Sequence, residues 1–254
     1  MINNEAMSRS VRSKLGFGLN PEQNERPNHE RYQADLAHIA SAMLLGGYRD
    51  ICSLGPEGSN SHALALDIAS ALGMGCSDAP DHILTGSMQQ VLEETARQES
   101  LHKRVGVLPI VNTVGGMVRY NNHPDMKQHT NLKEILKRRM RVLGIAHFAV
   151  THSLLVHPTE ATLALNGREV YSHPQALSQC SHYIDALGLI PREAASTSAA
   201  ARDIANGTLP LGALAISSQV AADIYGLSLV ANDVGDIGSD QNITVMAIVA
   251  ESNH

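Results

Sequence analysis

Apolar positions along the chain follow two alternating patterns, helical spacing and short continuous runs. The short runs predict strands at Ile51–Leu54, Arg104–Ile110, Phe148–Val156, Glu169–Ser172, Leu211–Ile216 and Ile243–Ala250. Helical spacing predicts helices at Ser61–Leu72, Ser87–Arg97, Leu132–Leu143, Gln175–Leu187, Ser196–Asn206 and Ser218–Tyr225. Strands that alternate with helices in this way predict an α/β fold with mostly parallel sheets.

Residues 1–49 precede this alternation. Residues 1–31 are polar, and we expect a mobile arm there. From Tyr32 to Leu45 apolar residues return at helical spacing, closed by Gly46-Gly47, which predicts one added helix. We expect this helix to pack on the main fold or on a second subunit.

Composition narrows the classes of function. The chain has 254 residues, of which 43% are hydrophobic, and a formal net charge of −6. With no Trp, two Phe and six Tyr, it has neither the positive charge nor the stacking side chains of a nucleic-acid-binding protein. Cys52, Cys76 and Cys180 form no disulfide or zinc pattern. Without a signal peptide or a membrane-spanning stretch, we expect a cytoplasmic protein with no nucleic-acid or membrane partner.

Glycine and small hydroxyl residues concentrate at three predicted junctions between strands and helices, where α/β proteins bind ligands. They are Gly58, Ser59 and Ser61 at the first junction, Asn112 and Thr113 at the second, and Ser196, Thr197 and Ser198 at the third. Helix N-termini bind carboxylate or phosphate, although the same residue types also simply cap helices. Three such junctions in one chain favour a site for an anionic small molecule.

No metal or cofactor pattern accompanies these junctions. His147, His152 and His157 stand five apart, which suits neither one face of a helix nor one face of a strand. HExxH, Walker, GxSxG and dinucleotide-binding motifs are absent from the sequence. We therefore expect no metal and no cofactor.

Six segments, in order between residues 50 and 250, resemble motifs of the prephenate dehydratase family. They read LGPEGSNSH from Leu54, LPIVNT from Leu108, HSLL from His152, VYSHPQALSQC from Val170, STSAAA from Ser196 and AADIYGL from Ala221. The resemblance implies a two-lobed α/β fold like the type-2 periplasmic binding proteins, with a cleft between the lobes. One lobe would comprise about 50–116 and 228–254, and the other about 117–227.

The same resemblance implies an activity. The family converts prephenate to phenylpyruvate, with loss of water and carbon dioxide and without a cofactor, and it tends to form homodimers. Four polar residues match the family's catalytic Asn, Ser, Gln and Thr, namely Asn112, Ser172, Gln179 and Thr244. Thr244 would donate a hydrogen bond to the leaving hydroxyl, and the other three would orient the ring and its carboxylate. Thr197 and Ser198 would hold the pyruvyl carboxylate.

Three positions inside these motifs depart from the family. The family's Glu is Val111 here, and its Arg and Phe after the catalytic Thr are Val245 and Met246. Loss of the Arg removes a fixed cation beside Thr244, which either alters the substrate or outcome or leaves Val245 simply packing. The chain also stops at His254 without the phenylalanine-sensing ACT domain, so we expect no feedback control by that route.

Several functions therefore stay open. The first is a dehydratase-type carbon–oxygen lyase acting on prephenate or a related carboxylated cyclohexadienol, in specialised-metabolite or antibiotic biosynthesis rather than housekeeping phenylalanine synthesis. The alternatives are a non-aromatising prephenate decarboxylase, a dehydratase-like protein of a tropone pathway of the tropodithietic acid type, and an inactive protein that binds a small acid. A decarboxylase that keeps the ring hydroxyl has less use for a donor at Thr244, so the retained polar residues favour the dehydratase.

Overall fold

The computed structural model describes residues 21–73, 82–97, 102–118, 130–161 and 164–252, with side chains from residue 28 onward. The chain divides into two compact units, each built around one sheet. The six-stranded unit contains the described residues of 25–56, 60–149 and 243–252, and the five-stranded unit contains those of 21–24, 57–59 and 150–242. Helices and strands are numbered in chain order.

The six-stranded unit has mixed strand directions. Its helices are α1 (Pro21–Gly46, from residue 25 onward), α2 (Asn60–Ala71), α3 (Met88–Ala96) and α4 (Asn131–Lys137). Its strands are β1 (Tyr48–Leu54), β2 (His82–Thr85), β3 (Lys103–Asn112), β4 (Gly116–Met117), β5 (Arg141–Ala149) and β11 (Ile243–Ala250). The sheet order is β2-β1-β3-β11-β5, with β4 added to β3. β1 is parallel to β2 and β3, whereas β11 runs antiparallel to both β3 and β5.

The five-stranded unit is also mixed. It contains β6 (Ser153–Val156), a 3-10 turn (Pro158–Glu160), β7 (Glu169–Ser172), α5 (Pro174–Gln179), α6 (Ser181–Ala186), β8 (Ile190–Glu193), α7 (Thr197–Ala205), β9 (Leu214–Ser217), α8 (Gln219–Tyr225) and β10 (Ser228–Ala231). The sheet order is β10-β6-β9-β7-β8. β7 is parallel to β8 and β9, and β6 is antiparallel to β9 and β10. The prediction of mostly parallel sheets is therefore wrong, although the α/β class holds.

The added helix α1 belongs to the core of the six-stranded unit. Ile39 and Met43 are completely buried and pack in one apolar cluster with Ala146 and Ile248 of the sheet. A Cβ atom at Gly144 would lie 2.7 Å from Cγ1 of Ile39, so glycine on β5 permits the close approach of the helix. The predicted packing of this helix on the main fold is confirmed.

Strand pairing changes the boundaries expected from the sequence. The helix predicted at Leu132–Leu143 ends at Lys137, and β5 begins at Arg141, because Arg139 adopts a left-handed φ of 53° that ends the helix. β5 then pairs with β11, so the chain enters the five-stranded unit at Val150 and leaves it after Asn242. The expected crossings near 117 and 228 differ from these positions.

Other predicted elements are divided or displaced. The strand predicted at Phe148–Val156 is two strands, β5 and β6, that belong to different sheets, and the helix predicted at Gln175–Leu187 is interrupted at Cys180. The strand predicted at Leu211–Ile216 starts at Leu214, and β2, β4, β8 and β10 were not predicted. Residues 21–31, expected in a mobile arm, are helical, and the rest of that arm lies outside the described residues.

None of the helices in the described part of the chain has an apolar stretch long enough to cross a bilayer.

The burial of α1 predicts its contribution to stability. Met43→Ala should lower the free energy of unfolding by about 2–5 kcal/mol, because truncation of a buried side chain loses apolar contact and leaves a cavity. Leu45→Ala is the matched control on the same helix, since Leu45 is 89% exposed, and it should change stability by less than about 0.5 kcal/mol. Denaturant unfolding monitored by circular dichroism measures both. Equal effects would contradict the placement of α1 in the core.

Candidate active site

Asn112 and Thr244 face each other across the β3–β11 pair. Asn112 ends β3, Thr244 is the second residue of β11, and the register makes them direct partners. Asn112 Nδ2 donates a hydrogen bond to Thr244 Oγ1 at 3.0 Å, and Thr244 is only 7% exposed. The antiparallel return of β11 thus brings together two of the predicted catalytic residues.

The turn after β3 fixes the orientation of the Asn112 amide. Asn112 Oδ1 accepts hydrogen bonds from the backbone N–H groups of Val114 at 3.0 Å and Gly115 at 2.7 Å. A flipped amide would turn its NH₂ group toward these donors, so only the observed orientation pairs donors with acceptors. Thr244 Oγ1 therefore accepts from Asn112, and its own proton has no acceptor among the described residues. A hydroxyl that already accepts a hydrogen bond is polarised into a stronger donor.

Thr113 joins the ends of the same two strands. Its backbone N–H donates to the Ile243 carbonyl at 2.9 Å, and its Oγ1 accepts from the Ile243 N–H at 2.9 Å. The Thr113 oxygen predicted to bind substrate is thus already engaged with the backbone. Because Thr244 follows Ile243, these bonds keep Thr244 in register with Asn112.

Two of the departures from the family motifs, Val111 and Val245, are direct partners in the β3–β11 register. Since side chains alternate along a strand, Val245 lies on the opposite face of the sheet from Thr244. Opposite charges at positions 111 and 245 would form one cross-strand pair, and an apolar pair replaces them here. The two departures therefore occupy one cross-strand pair, which lies on the face away from the Thr244 hydroxyl.

On its other side, Val245 pairs with His147 of β5, which binds two residues of α1. Arg31 Nη2 lies 2.6 Å from His147 Nε2, and Asp35 Oδ2 accepts from the His147 backbone N–H at 3.0 Å and from its ring Nδ1 at 2.8 Å. Because arginine only donates, His147 Nε2 accepts and the ring proton resides on Nδ1. Asp35 thereby binds a backbone donor of the β5 strand.

A double-mutant cycle tests the coupling of Val111 and Val245. Val111→Glu and Val245→Arg should each destabilise the protein, because each places one charge in a half-buried apolar pair. The double variant should be about 0.5–1 kcal/mol more stable than the sum of the single changes predicts, through the cross-strand ion pair. Denaturant unfolding of the four proteins measures the coupling, and strictly additive effects would contradict the register.

The loop that carries Gly58 and Ser59 packs on α8. Gly58 has a φ of +74°, and a Cβ atom there would lie 2.7 Å from the Cβ of Ala221. Ser218 Oγ donates to the Gly58 carbonyl at 2.8 Å, and the Tyr225 hydroxyl donates to the Glu57 carbonyl at 3.1 Å. Packing on α8 therefore explains the glycine at position 58 without a ligand.

Three serines lie at the same end of three neighbouring strands of the five-stranded sheet. Ser172 ends β7, Ser217 ends β9, and Ser153, which begins β6, is the register partner of Ser217. Ser172 is fully buried, and its hydroxyl donates to the Ile216 carbonyl at 2.6 Å, so it can only accept a further hydrogen bond. The buried Ser217 hydroxyl, by contrast, has no partner among the described residues.

The three residues predicted at the N-terminus of α7, Ser196, Thr197 and Ser198, have different contacts. Ser196 is the N-cap, and its Oγ accepts from the Ala199 N–H at 3.0 Å. Thr197 is the first helical residue. Ser198 is 1% exposed, and within the described residues its hydroxyl has no partner. Ser196 therefore caps the helix. Ser198 keeps an unused hydrogen-bonding capacity, which a buried hydroxyl normally satisfies.

Gln179, at the end of α5, is bound by two residues that were not among the predicted site residues. His152 Nε2 lies 2.8 Å and Asn242 Nδ2 lies 3.4 Å from Gln179 Oε1. His152 and Asn242 are 6% and 2% exposed, and Gln179 is half-buried. Burial lowers the pKa of His152, with the Gln179 hydrogen bond and the Asp233 charge acting in the opposite direction. His152 is therefore neutral near pH 7.

Ser61 lies in the first turn of α2 and is buried, next to a pair of histidines. The rings of His62 and His82 stack with their centroids 4.9 Å apart, and Ser53 Oγ lies 2.8 Å from His82 Nε2. Burial, and next the charge of His62, lowers the pKa of His82 to about 4. His82 is thus held neutral in the folded protein.

This shift predicts a pH dependence of stability. In the unfolded chain His82 binds a proton near pH 6.5, whereas in the folded protein it does so only near pH 4. Stability should therefore fall as the pH decreases from about 6.5 to 4, and His82→Asn should reduce this fall by on the order of 1 kcal/mol, allowing for the partial exposure of the ring. Thermal melts across this range test it. An unchanged fall in stability in His82→Asn would contradict the shift.

One pocket of the five-stranded unit contains none of the predicted site residues. It has a volume of about 300 Å³ and lies at the C-terminal end of α7, opposite the end that carries Ser196–Ser198. Glu160 lines it, but this carboxylate already binds Arg168 at 3.2 Å and accepts from the Gly212 N–H. The pocket therefore offers no uncommitted charged group for the predicted chemistry.

Known proteins similar to this chain point to one family. The family model described as prephenate dehydratase matches residues 51–253. The chain belongs to the prephenate dehydratase family. Arogenate dehydratase/prephenate dehydratase 2, chloroplastic, of Arabidopsis thaliana is 38% identical over 130 residues, which is 51% of this chain and 31% of that protein. The bifunctional chorismate mutase/prephenate dehydratase of Escherichia coli (strain K12) is 31% identical over 206 residues, 79% of this chain and 46% of that protein.

Solved structures share the fold. The prephenate dehydratase of Staphylococcus aureus subsp. aureus Mu50 has a TM-score of 0.59 at 16% identity, over 81% of this chain and 67% of that one. GqqA, described as a novel type of quorum quenching acylase, has a TM-score of 0.60 at 20% identity, over 81% of this chain and 65% of that one. These likenesses confirm the fold class of the prephenate dehydratases. The chain spans about a third to a half of the length of the curated relatives named above.

His152 and Asn242 are the additions that the structure makes to the predicted site residues. His152 is the first residue of the HSLL segment, and Asn242 lies two residues before Thr244, whose match to the family's catalytic Thr marked this stretch. The sequence therefore carried a signal for both residues. It carried none for their contact with Gln179, because residues 152, 179 and 242 are brought together only by the fold.

Proposed function

We propose that this protein is a lyase of the dehydratase type, which eliminates water together with carbon dioxide from prephenate or arogenate. The observation that carries the proposal is the buried Thr244 hydroxyl, which accepts a hydrogen bond from Asn112 at 3.0 Å and keeps its own proton available. Membership of the prephenate dehydratase family supports it. The names of the relatives supply the two substrates.

The reaction requires a hydrogen-bond donor at the leaving oxygen. The bond between the ring and its carboxylate breaks, its electron pair enters the ring, and the carbon–hydroxyl bond breaks on the opposite side, giving an aromatic product. The departing hydroxide takes up one proton from solvent and leaves as water, so prephenate yields phenylpyruvate and carbon dioxide. Thr244 would donate a hydrogen bond to that oxygen as negative charge develops on it. Its proton need not transfer fully, because the threonine hydroxyl is a very weak acid and aromatisation supplies the driving force.

The position of the Val111–Val245 pair supports the dehydratase over the decarboxylase. It lies on the face of the sheet away from Thr244, so the hydroxyl donor and its Asn112 partner are both retained. A decarboxylase that keeps the ring hydroxyl would have no use for this donor. The absence of the family's charge pair is also the basis on which we propose a role in specialised metabolism. The homodimer and the cytoplasmic location stay predictions from the sequence.

The decisive experiment incubates the purified protein with prephenate and, separately, with arogenate, and follows the products by proton NMR and mass spectrometry. Phenylpyruvate or phenylalanine formed faster than the acid-catalysed background supports the proposal. A product that has lost carbon dioxide but keeps the hydroxyl would replace it with the decarboxylase. Binding without turnover would indicate the inactive acid-binding protein.

Variants at Thr244 test the donor itself. Thr244→Val keeps the shape but removes the hydroxyl, and kcat should fall by about 10²–10³-fold, as for the loss of one preorganised donor to a developing oxyanion. Thr244→Ser keeps the hydroxyl and should retain most of that activity. Thr208→Val, on the exposed surface of the five-stranded unit, is the control. A Thr244→Val enzyme with unchanged kcat would remove Thr244 from the mechanism.

A further inference from the structure

The oxygen of the Gln179 side chain is shared between two donors inside the five-stranded unit. His152 Nε2 lies 2.8 Å from it and Asn242 Nδ2 lies 3.4 Å from it. Both partners are more than nine-tenths buried, whereas Gln179 itself is half-buried. The oxygen end of the amide is therefore fixed by two buried donors.

These contacts identify which end of the Gln179 amide is the oxygen and which is the NH₂ group. An amide oxygen only accepts, so His152 carries its ring proton on Nε2 and donates it. If the amide were flipped, the Gln179 NH₂ group would face the Asn242 NH₂ group, and His152 would have to accept through the same nitrogen. The observed orientation alone satisfies both donors. It leaves the two N–H bonds of Gln179 with no acceptor among the described residues.

One loop, residues 234–236, forms hydrogen bonds with the backbones of both His152 and Gln179. The Val234 N–H donates to the His152 carbonyl at 2.7 Å, and the Asp236 N–H donates to the Gln179 carbonyl at 2.6 Å. A Cβ atom at Gly235, between them, would lie 3.7 Å from Cδ2 of His152. Residues 234–236 thus fix the backbones that carry both the imidazole and the amide, so the contact is built into the fold.

From this arrangement we infer that His152 is a positioning residue, which fixes Gln179 as a hydrogen-bond donor to a carboxylate or keto oxygen of the substrate. The inference rests on the proposed function for the identity of that substrate. His152 acts through Gln179 and touches no reacting atom. Its neutral state suits the role, because a neutral imidazole with its proton on Nε2 donates to one acceptor and brings no charge to the buried contact.

The tautomer of His152 tests the inference without any turnover. In the full chain labelled with ¹⁵N-histidine, the imidazole of His152 should be protonated on Nε2 at neutral pH. In Gln179→Glu a carboxylate replaces the amide, and the pKa of His152 should rise, since a nearby opposite charge favours the protonated ring. An Nδ1-protonated His152, or a His152 pKa that does not respond to Gln179→Glu, would overturn the inference.

Kinetics test whether His152 acts through Gln179. His152→Leu should lower kcat/KM for the substrate by about 3- to 10-fold, the usual effect of one lost hydrogen bond. His152→Gln, which keeps a donor at similar reach, should restore most of the loss. In a Gln179→Leu background, His152→Leu should cost less than about twofold, because the amide it positions is gone. His29→Leu, with an exposed side chain on α1, is the control.

The two arms separate the possible failures. A His152→Leu effect of equal size in both Gln179 backgrounds would overturn the positioning role while leaving the proposed function intact. A wild-type protein that converts neither prephenate nor arogenate would overturn the proposed function, and the tautomer measurement would then decide the contact alone. If His152→Leu does not fold, His152→Gln and Gln179→Glu still report on the donor and on the pKa.

Discussion

The candidate active site of the six-stranded unit depends on one irregularity, a β-bulge in β3. Met246 pairs with Pro109 and Val245 pairs with Val111, so Ile110 is the extra residue. Without the bulge, Thr244 would face Val111, and Asn112 would face Ile243. The bulge therefore places the amide of Asn112 beside the Thr244 hydroxyl, and it moves the Val111–Val245 pair to the other face. Pro109 is compatible with this position because bulges tolerate a residue that lacks a backbone donor.

Helix α1, which lies outside the residues that match the family model, packs against the strand that pairs with β11 at Thr244. Thr244 pairs on its other side with Phe148 of β5, whose ring meets Tyr32 of α1 edge to face at a centroid distance of 5.8 Å. Tyr32 in turn donates to Asp67 of α2 at 2.6 Å, which ties α1 to the body of the unit. Changes in α1 can therefore alter the strand beside Thr244 without touching the site itself.

The motifs predicted which residues form the candidate site, but they did not predict how strand pairing brings those residues together. Asn112, Thr244 and Gln179 were found from short local segments, and the α/β class followed from alternating periodicity. The direction of β11, the bulge at Ile110 and the contact of His152 with Gln179 depend on pairings between residues far apart in the sequence. Local pattern also read Leu132–Leu143 as one helix, because its apolar spacing does not reveal that β5 must pair with β11.

Loss of the family's arginine at Val245 and retention of Thr244 concern opposite faces of one strand, which matters for a reaction that expels both carbon dioxide and hydroxide. The ring carboxylate loses its charge as carbon dioxide forms, so this bond cleavage develops no negative charge at the carboxylate for a cation to stabilise. The leaving oxygen gains charge during the same step, so a donor at Thr244 stabilises the transition state more than the substrate. Because position 245 lies on the face of the sheet away from Thr244, the loss of its cation does not remove a group that touches the leaving oxygen. The Asn112–Thr244 pair retains the interaction on which the rate depends.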